Sequence, residues 1–197
     1  MTSPLTHTPQ TDAGLASGLG NQGGPAPVPA SRRVMGIDPS LSGTGIVVID
    51  SKRALHLQTV ITKPGDSLRD RIDSIACHVH LAQEKYDPEL FVLEGLSMGS
   101  FAGKVHDRTG LHYILRWQLW HGAGEEEVLI VPPATLKKFV AGKGNATKEF
   151  MLLNAFKRWG MEFPDNNQCD AFCLAQFGLA YLTGGLPAGL KTRLKAA

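Results

Sequence analysis

Short apolar runs alternate with helix-like repeats along most of the chain. The runs at 34–37 and 46–49 are separated by a turn rich in Gly and Ser, which predicts a hairpin of two buried strands. Residues 54–61 alternate partly between apolar and polar side chains and predict a third strand. Two further apolar runs, at 91–94 and 128–131, predict short buried strands.

Helical periodicity follows the third predicted strand and separates the later ones. Between residues 67 and 84, Leu68, Ile72 and Val79 recur at the spacing of one helix face. Four other segments are predicted to be helical: 103–121, 134–140, 146–159 and 168–183. Three strands followed by alternating helices and strands predict an α/β fold, in which helices flank a mixed five-stranded sheet.

Composition divides the 197 residues into a body and two ends. The first 30 residues contain five Pro, five Gly and a single charged residue, Asp12. Such a segment buries too little apolar area to offset its ordering entropy, so we predict a disordered tail over 1–31. We predict one globular domain over 32–185 and a short basic C-terminal tail over 186–197.

Net charge and the absence of targeting signals in the sequence bear on whether the protein binds nucleic acid, spans a membrane or is secreted. Lys and Arg number 20 against 18 Asp and Glu, and a net charge of +2 does not by itself indicate a nucleic-acid binder. No apolar run is long enough for a membrane span, and the N-terminus has neither the basic start nor the apolar run of a signal peptide. The three cysteines fit no zinc-ligand spacing and suggest a reducing compartment, so we predict a cytoplasmic protein that is not secreted.

Three acidic residues lie in otherwise apolar surroundings. Asp38 and Glu94 each end a predicted buried strand, and Asp170 lies within an apolar helix. Taken singly, Asp38 could stabilise the following turn, Glu94 could pair with an arginine, and Asp170 could lie in the favourable first turn of its helix. Together, at the ends of neighbouring parallel strands and on a crossing helix, they would converge and repel one another. A hard divalent cation, Mg²⁺ or Mn²⁺ rather than Zn²⁺, would relieve that repulsion.

Four motifs in the same order resemble the RuvC family of Holliday junction resolvases. They are MGIDPSLSGTG at 35–45, LEG at 93–95, VPPATLKKFVAGKGNATK at 131–148 and NQCDA at 167–171. The third is particularly similar to phage-type members, and the resemblance spans about residues 33–182. It implies a ribonuclease-H-like fold, a homodimer without a nucleotide cofactor, and metal-dependent cleavage of paired strands at a four-way DNA junction.

The resemblance also implies roles for the acidic residues. By motif, Asp38 is the first metal ligand, Glu94 the second and Asp170 the last. The family usually has an Asp or a His three residues before the last Asp, where this chain has Asn167. We favour Asn167 as a neutral ligand with Asp165 behind it or capping the helix; alternatively, a shifted helix start lets Asp165 serve. The implied mechanism is hydrolysis with two Mg²⁺ ions per site, for which Mn²⁺ can substitute.

A basic segment supplies candidate contacts to DNA phosphates. Residues 132–158 carry six basic side chains against one acidic side chain. The candidates are Lys137, Lys138, Lys143 and Lys148. Lys143 and Lys148 match the family's phosphate-contacting lysines, and a solvated helix face is the alternative, more so for Lys137 and Lys138.

The loop after Glu94 supplies further candidates. Phe101 could act as the aromatic wedge that family members insert at the junction centre, with Met98 in reserve. It could equally pack against its own helix as a hydrophobic staple. Lys104 is a candidate DNA contact in the same loop.

Two other function classes are open from the sequence. A catalytically weakened, structure-specific DNA-binding protein of the same fold is one, because Asn167 brings no charge to the acidic cluster. An actin-like or sugar-kinase-like ATP-binding module is the other, because those proteins share a similar glycine-rich hairpin. That class normally needs a second, duplicated domain, and the sequence contains no second copy.

Overall fold

Within residues 32–96, 105–123 and 127–191, which the computed structural model describes, the chain forms five strands and six helices. The strands are β1 (Val34–Asp38), β2 (Gly43–Ile49), β3 (Ala54–Ile61), β4 (Leu90–Glu94) and β5 (Val128–Val131). The helices are α1 (Leu68–Tyr86), α2 (Val105–Gly122), α3 (Pro133–Ala141), α4 (Lys148–Trp159), α5 (Asn166–Leu182) and α6 (Ala188–Lys191). The predicted tail over 1–31 and the loop residues Met98, Phe101 and Lys104 lie outside the described residues. The chain divisions at 31 and 185 stay predictions.

The strands form one mixed sheet in the order β3-β2-β1-β4-β5. The pairs β1–β2 and β2–β3 are antiparallel, whereas β1–β4 and β4–β5 are parallel. This confirms the predicted α/β fold with a mixed five-stranded sheet. None of the helices in the described part of the chain is long and apolar enough to span a membrane.

The second strand is longer than predicted, because it begins at Gly43 rather than at residue 46. Gly43 and Gly45, which the sequence suggested were turn residues, pair with Ile61 and Thr59 of β3. Gly45 serves helix packing: a Cβ there would stand 2.1 Å from the carbonyl oxygen of Asn167 in α5. The glycine therefore reflects the close approach of a helix rather than a chain reversal.

Each face of the sheet has its own apolar core. Met35 and Ile37 of β1 point to the face covered by α1 and α2, where Ile75 and Leu115 are buried. The opposite face carries Val34 and is covered by α3, α4 and α5. This alternation along one strand is why the central strands are apolar throughout.

Helix α5 lies closest to the sheet. A Cβ on Gly36 would stand 2.0 Å from the carbonyl oxygen of Ala171, so the α5 backbone rests directly on β1. Cys169 and Cys173 of α5 are buried in this core. Leu186 and Leu190, beyond the predicted boundary at 185, are also buried in this core.

Candidate active site

The carboxyl ends of β1 and β4 open into a cavity of about 500 Å³. Asp38 and Glu94 are the last residues of these parallel strands, and the register that pairs Ile37 with Leu93 brings both acids to the same edge. Asp170 reaches the cavity from α5, one turn inside the helix. The structure thus brings together the three acidic residues that the sequence singled out.

Burial raises the pKa of all three carboxyl groups, and repulsion from neighbouring carboxylates raises the pKa of Asp38 and Glu94 further. The pKa of Asp38 lies well above its usual range, because the group is buried and faces Glu94 and Asp170. Burial, and then repulsion from Asp170, raises the pKa of Glu94 to about 7. Burial raises the pKa of Asp170 to about 6, against the opposing charges of Lys148 and Lys137. A cluster of this kind is typical of a functional site.

Asn167 and Asp165 occupy different positions relative to the cavity. Asn167 lines the cavity together with the three acids. Asp165 is the N-cap of α5: one oxygen accepts from the Gln168 amide at 2.8 Å and the other from the Thr59 hydroxyl at 2.7 Å. This is the arrangement that we favoured from the sequence. That Asn167 is a metal ligand stays a proposal.

The candidate lysines are divided between the cavity and its surroundings. Lys137 on α3 and Lys148 at the start of α4 line the cavity. Lys138 is exposed and is not among the cavity residues. Lys143 is also outside the lining, and its Nζ lies 4.5 Å from the centroid of the Phe150 ring.

The loop that follows Asp38 is tied down by polar contacts that the sequence did not reveal. The buried Thr44 hydroxyl donates to the Ser40 carbonyl at 2.7 Å and accepts from the Ser40 amide at 3.2 Å. Arg71 of α1 donates to the Leu41 carbonyl at 3.0 Å. Because Ser40 lines the cavity, these contacts fix one wall of it.

Helix α2 contributes two residues that sequence reasoning missed as site residues. Arg108 lines the cavity beside Glu94. His112 is 3% exposed, and its Nε2 lies 3.0 Å from the Glu94 carbonyl oxygen. Burial lowers the pKa of His112, so the neutral ring donates its Nε2–H to that carbonyl. His112 is therefore a core residue that contacts the main chain of the site.

The donor set suits a hard divalent cation. Three carboxylates and one amide oxygen line a single cavity, and neither Cys nor His is among its lining residues. A bound cation would offset the repulsion that raises the pKa values of Asp38 and Glu94. No group of three or more His, Cys, Asp or Glu side chains that could hold a metal as it stands is found among the described residues. The fit therefore rests on donor chemistry rather than on a preformed cage.

Comparison with protein-family models finds no match. Similar proteins and solved structures both include RuvC. The crossover junction endodeoxyribonuclease RuvC of a Synechococcus strain is 28% identical over 156 residues, which is 74% of this chain and 97% of that protein. RuvC of Borrelia turicatae is 32% identical over 68 residues, which is 32% of this chain and 42% of that protein.

Two structures of Thermus thermophilus RuvC share the fold. One, in complex with Holliday junction substrate, superimposes with a TM-score of 0.67 at 24% identity and covers 78% of this chain and 97% of that chain. The other has a TM-score of 0.61 at 25% identity, with 78% and 96% covered. The shared fold, the near-complete coverage of the RuvC chains and the four ordered motifs make this chain similar to RuvC along most of its length, and its ribonuclease-H-like fold is that of these structures.

Proposed function

We propose that the protein is a structure-specific endonuclease that resolves four-way DNA junctions by metal-dependent hydrolysis, in recombination, repair or phage DNA processing. One observation carries the proposal. Asp38, Glu94 and Asp170 come from three elements of the fold and line one cavity, in which burial raises the pKa of each carboxyl group. The RuvC relatives do not favour the ATP-binding alternative.

Asp38, Glu94 and Asp170 would hold the cation, with the Asn167 side-chain oxygen as a neutral fourth donor. Mg²⁺ is the proposed ion, two per site, and Mn²⁺ would substitute for it. When bound, the metal supplies activation of water and stabilisation of the leaving oxygen. Asp165 stays behind the site and fixes the start of α5.

The chain's own residues bind and orient the scissile phosphate. Lys137 and Lys148 place two positive charges on the α3–α4 side of the cavity, where they attract the DNA backbone. In the reaction, a bond forms between the water oxygen and phosphorus, and the bond from phosphorus to the 3′ oxygen breaks. The products are a 5′-phosphate and a 3′-hydroxyl, and the proton lost by water balances the proton gained by the 3′ oxygen.

A homodimer is the assembly that we propose, because paired cleavage needs two sites. Helix α2 supports it with an apolar outer face. Tyr113, Ile114 and Trp117 are 54%, 41% and 60% exposed. On the same helix, Arg116 Nε and Trp120 Nε1 are buried without a hydrogen-bond partner among the described residues. The cytoplasm is the proposed location.

The test is cleavage of a labelled four-way junction with Mg²⁺, compared with binding when the metal is chelated. We expect the wild type to make symmetric nicks. Asp38→Asn, Glu94→Gln and Asp170→Asn should each abolish nicking while junction binding persists, because each removes a charged donor and leaves the basic residues in place. Lys85→Gln, at the far end of α1, is the control for loss of a surface charge.

Three results would contradict parts of the proposal. Normal nicking by one acidic variant would remove that residue from the essential set. Binding without nicking by the wild type would favour the weakened, DNA-binding class that Asn167 suggested. A wild type that neither binds nor nicks the junction would rule out junction resolution.

A further inference from the structure

We infer that Arg108 is a substrate-contacting residue that binds a DNA phosphate from the α2 side of the cavity, opposite Lys137 and Lys148. The inference rests on the proposed function and adds a contact that the basic segment of the sequence does not contain. It makes phosphate binding two-sided, with the carboxylates between the two groups of cations.

The two core clusters define the two sides. Helix α2 packs with α1 on the sheet face that carries Met35 and Ile37. Helices α3 and α4 pack with α5 on the opposite face. Arg108 therefore approaches the sheet edge from one face, and Lys137 and Lys148 approach it from the other. A phosphate held above the carboxylates can be contacted from both.

Arg108 is presented by a fixed part of α2. His112 follows it by one helical turn, is buried, and bonds to the main chain of Glu94. Arg108, His112 and Glu94 also border a chamber of about 10 Å³, which is room for a single water molecule. The buried His112 Nδ1 has no partner among the described residues, and such a water would satisfy it. His112 thus acts as a positioning residue for this wall.

Charge and exposure suit Arg108 for a phosphate. Its side chain is exposed, and a guanidinium presents several N–H donors in a planar fork that matches two phosphate oxygens. The cavity holds three carboxylates, and Asn167 stands where the family usually has a further Asp or a His. Three basic side chains, those of Arg108, Lys137 and Lys148, line the cavity together with the three carboxylates. Their charges are equal in number, so a phosphate that binds with a metal cation does not enter a cavity with excess negative charge.

The test measures junction affinity against salt concentration with the metal chelated, so that binding is read without cleavage. Each phosphate contact contributes about 0.9 to the slope of log affinity against log salt. We expect Arg108→Gln to make the slope shallower by about 0.9 and to weaken binding at low salt by about tenfold. Arg108→Lys should recover most of the slope, because a lysine keeps the charge.

Lys85→Gln is the matched control. Lys85 carries the same charge and lies at the C-terminal end of α1. That end is tied to the opposite edge of the sheet, because Arg33, just before β1, donates to the Tyr86 carbonyl at 2.7 Å. This variant should keep the wild-type slope.

The outcomes separate this inference from the proposed function. An Arg108→Gln slope equal to that of Lys85→Gln, with a wild type that binds and nicks the junction, overturns the phosphate contact alone. An unchanged slope with a displaced pH profile of nicking also overturns it, because Arg108 would then act only through Glu94. A wild type that does not bind the junction overturns the proposed function and this inference together. A shallower slope that lysine restores supports the contact.

Discussion

In the metal-free protein, ionisation of the carboxyl groups of Asp38, Glu94 and Asp170 destabilises the folded state. Each carboxyl is partly buried, and each has a raised pKa because the ionised form is poorly solvated or faces another carboxylate. An acid whose pKa is higher in the folded state binds protons more tightly there than in the unfolded chain. Its contribution to stability is therefore present below the unfolded pKa and is lost as the pH rises through the folded pKa.

Glu94→Gln tests this electrostatic cost. The Glu94 pKa rises from an ordinary 4.5 to about 7, so its ionisation destabilises the metal-free fold between about these pH values. Glutamine cannot ionise, so at pH 8 the variant should exceed the wild type in unfolding free energy by on the order of 2 kcal/mol. At pH 4.5 the difference should be much smaller. Urea unfolding with a chelator at both pH values measures it, and an equal difference at both would contradict the raised pKa.

Two substitutions test the proposed roles of Asn167 as a metal ligand and of Asp165 as the N-cap of α5. Asn167→Asp adds a fourth carboxylate to the cavity and should tighten Mn²⁺ binding about tenfold. Asp165→Ala removes the N-cap of α5 and should lower the unfolding free energy by about 1 kcal/mol without changing Mn²⁺ affinity. Calorimetric Mn²⁺ titration and urea unfolding measure the two effects. Weaker Mn²⁺ binding by Asp165→Ala, at unchanged stability, would reverse the two assignments.

The residues that could be predicted from the sequence were those out of place in their local pattern. Asp38, Glu94 and Asp170 interrupt apolar segments, so burial made each of them conspicuous. Arg108 and His112 gave no such signal, because polar residues are ordinary on a half-exposed helix. Their position beside Glu94 depends on how α2 docks against β4, which is a tertiary contact that local pattern does not encode.

At the scale of elements, α5 is the part that joins core and site. It brings Asn167 and Asp170 to the cavity because its backbone lies against the glycines of β1 and β2. Its hydrophobic pattern predicted a buried helix over 168–183, and the helix runs from Asn166 to Leu182. The close approach could not be predicted, because a glycine in a Gly-Ser segment has the same local appearance whether it turns the chain or admits a helix.

Gly45→Ala tests that approach. The added Cβ would meet the Asn167 carbonyl oxygen at 2.1 Å and its carbonyl carbon at 2.6 Å, so the start of α5 has to move. We expect a loss of about 2 kcal/mol in unfolding free energy, with reduced nicking, since Asn167 and Asp170 move with the helix. Gly65→Ala is the control. No heavy atom lies within 4 Å of its added Cβ, and it should change stability by less than about 0.5 kcal/mol. Equal stability of the two variants would contradict the close packing.

At the scale of the whole molecule, the outer face of α2 is the surface that sequence periodicity could not assign. The apolar pattern of 103–121 predicted a helix packed on one side, and Leu111, Leu115 and Leu119 are indeed buried. Tyr113 and Trp117 are apolar residues on the exposed side. Only the docked position of the helix distinguishes its core face from a face available to a second copy of the chain.

Trp117→Glu tests the proposed dimer. Trp117 is 60% exposed in the isolated chain, so the substitution leaves the core intact but places a charge in the proposed interface. We expect sedimentation to show a monomer at concentrations where the wild type is a dimer, with paired nicking replaced by single nicks. Leu153→Glu, at an exposed position on α4, should leave the dimer unchanged. A dimer that tolerates Trp117→Glu would place the interface elsewhere.

The parallel pairing of β1 with β4 and the late position of α5 also bear on how the protein is made. The β1–β2 and β2–β3 hairpins are local and can form as soon as they are synthesised, but the carboxylates of the cavity come from positions 38, 94 and 170, which are far apart in the chain. A growing chain released before α5 is complete would have neither the core on that face nor the last acid. Because chains fold progressively during synthesis, the three acidic residues can meet in one cavity only after α5 has been synthesised. A chain truncated before α5 should therefore make no nicks in a four-way junction, because it lacks Asp170.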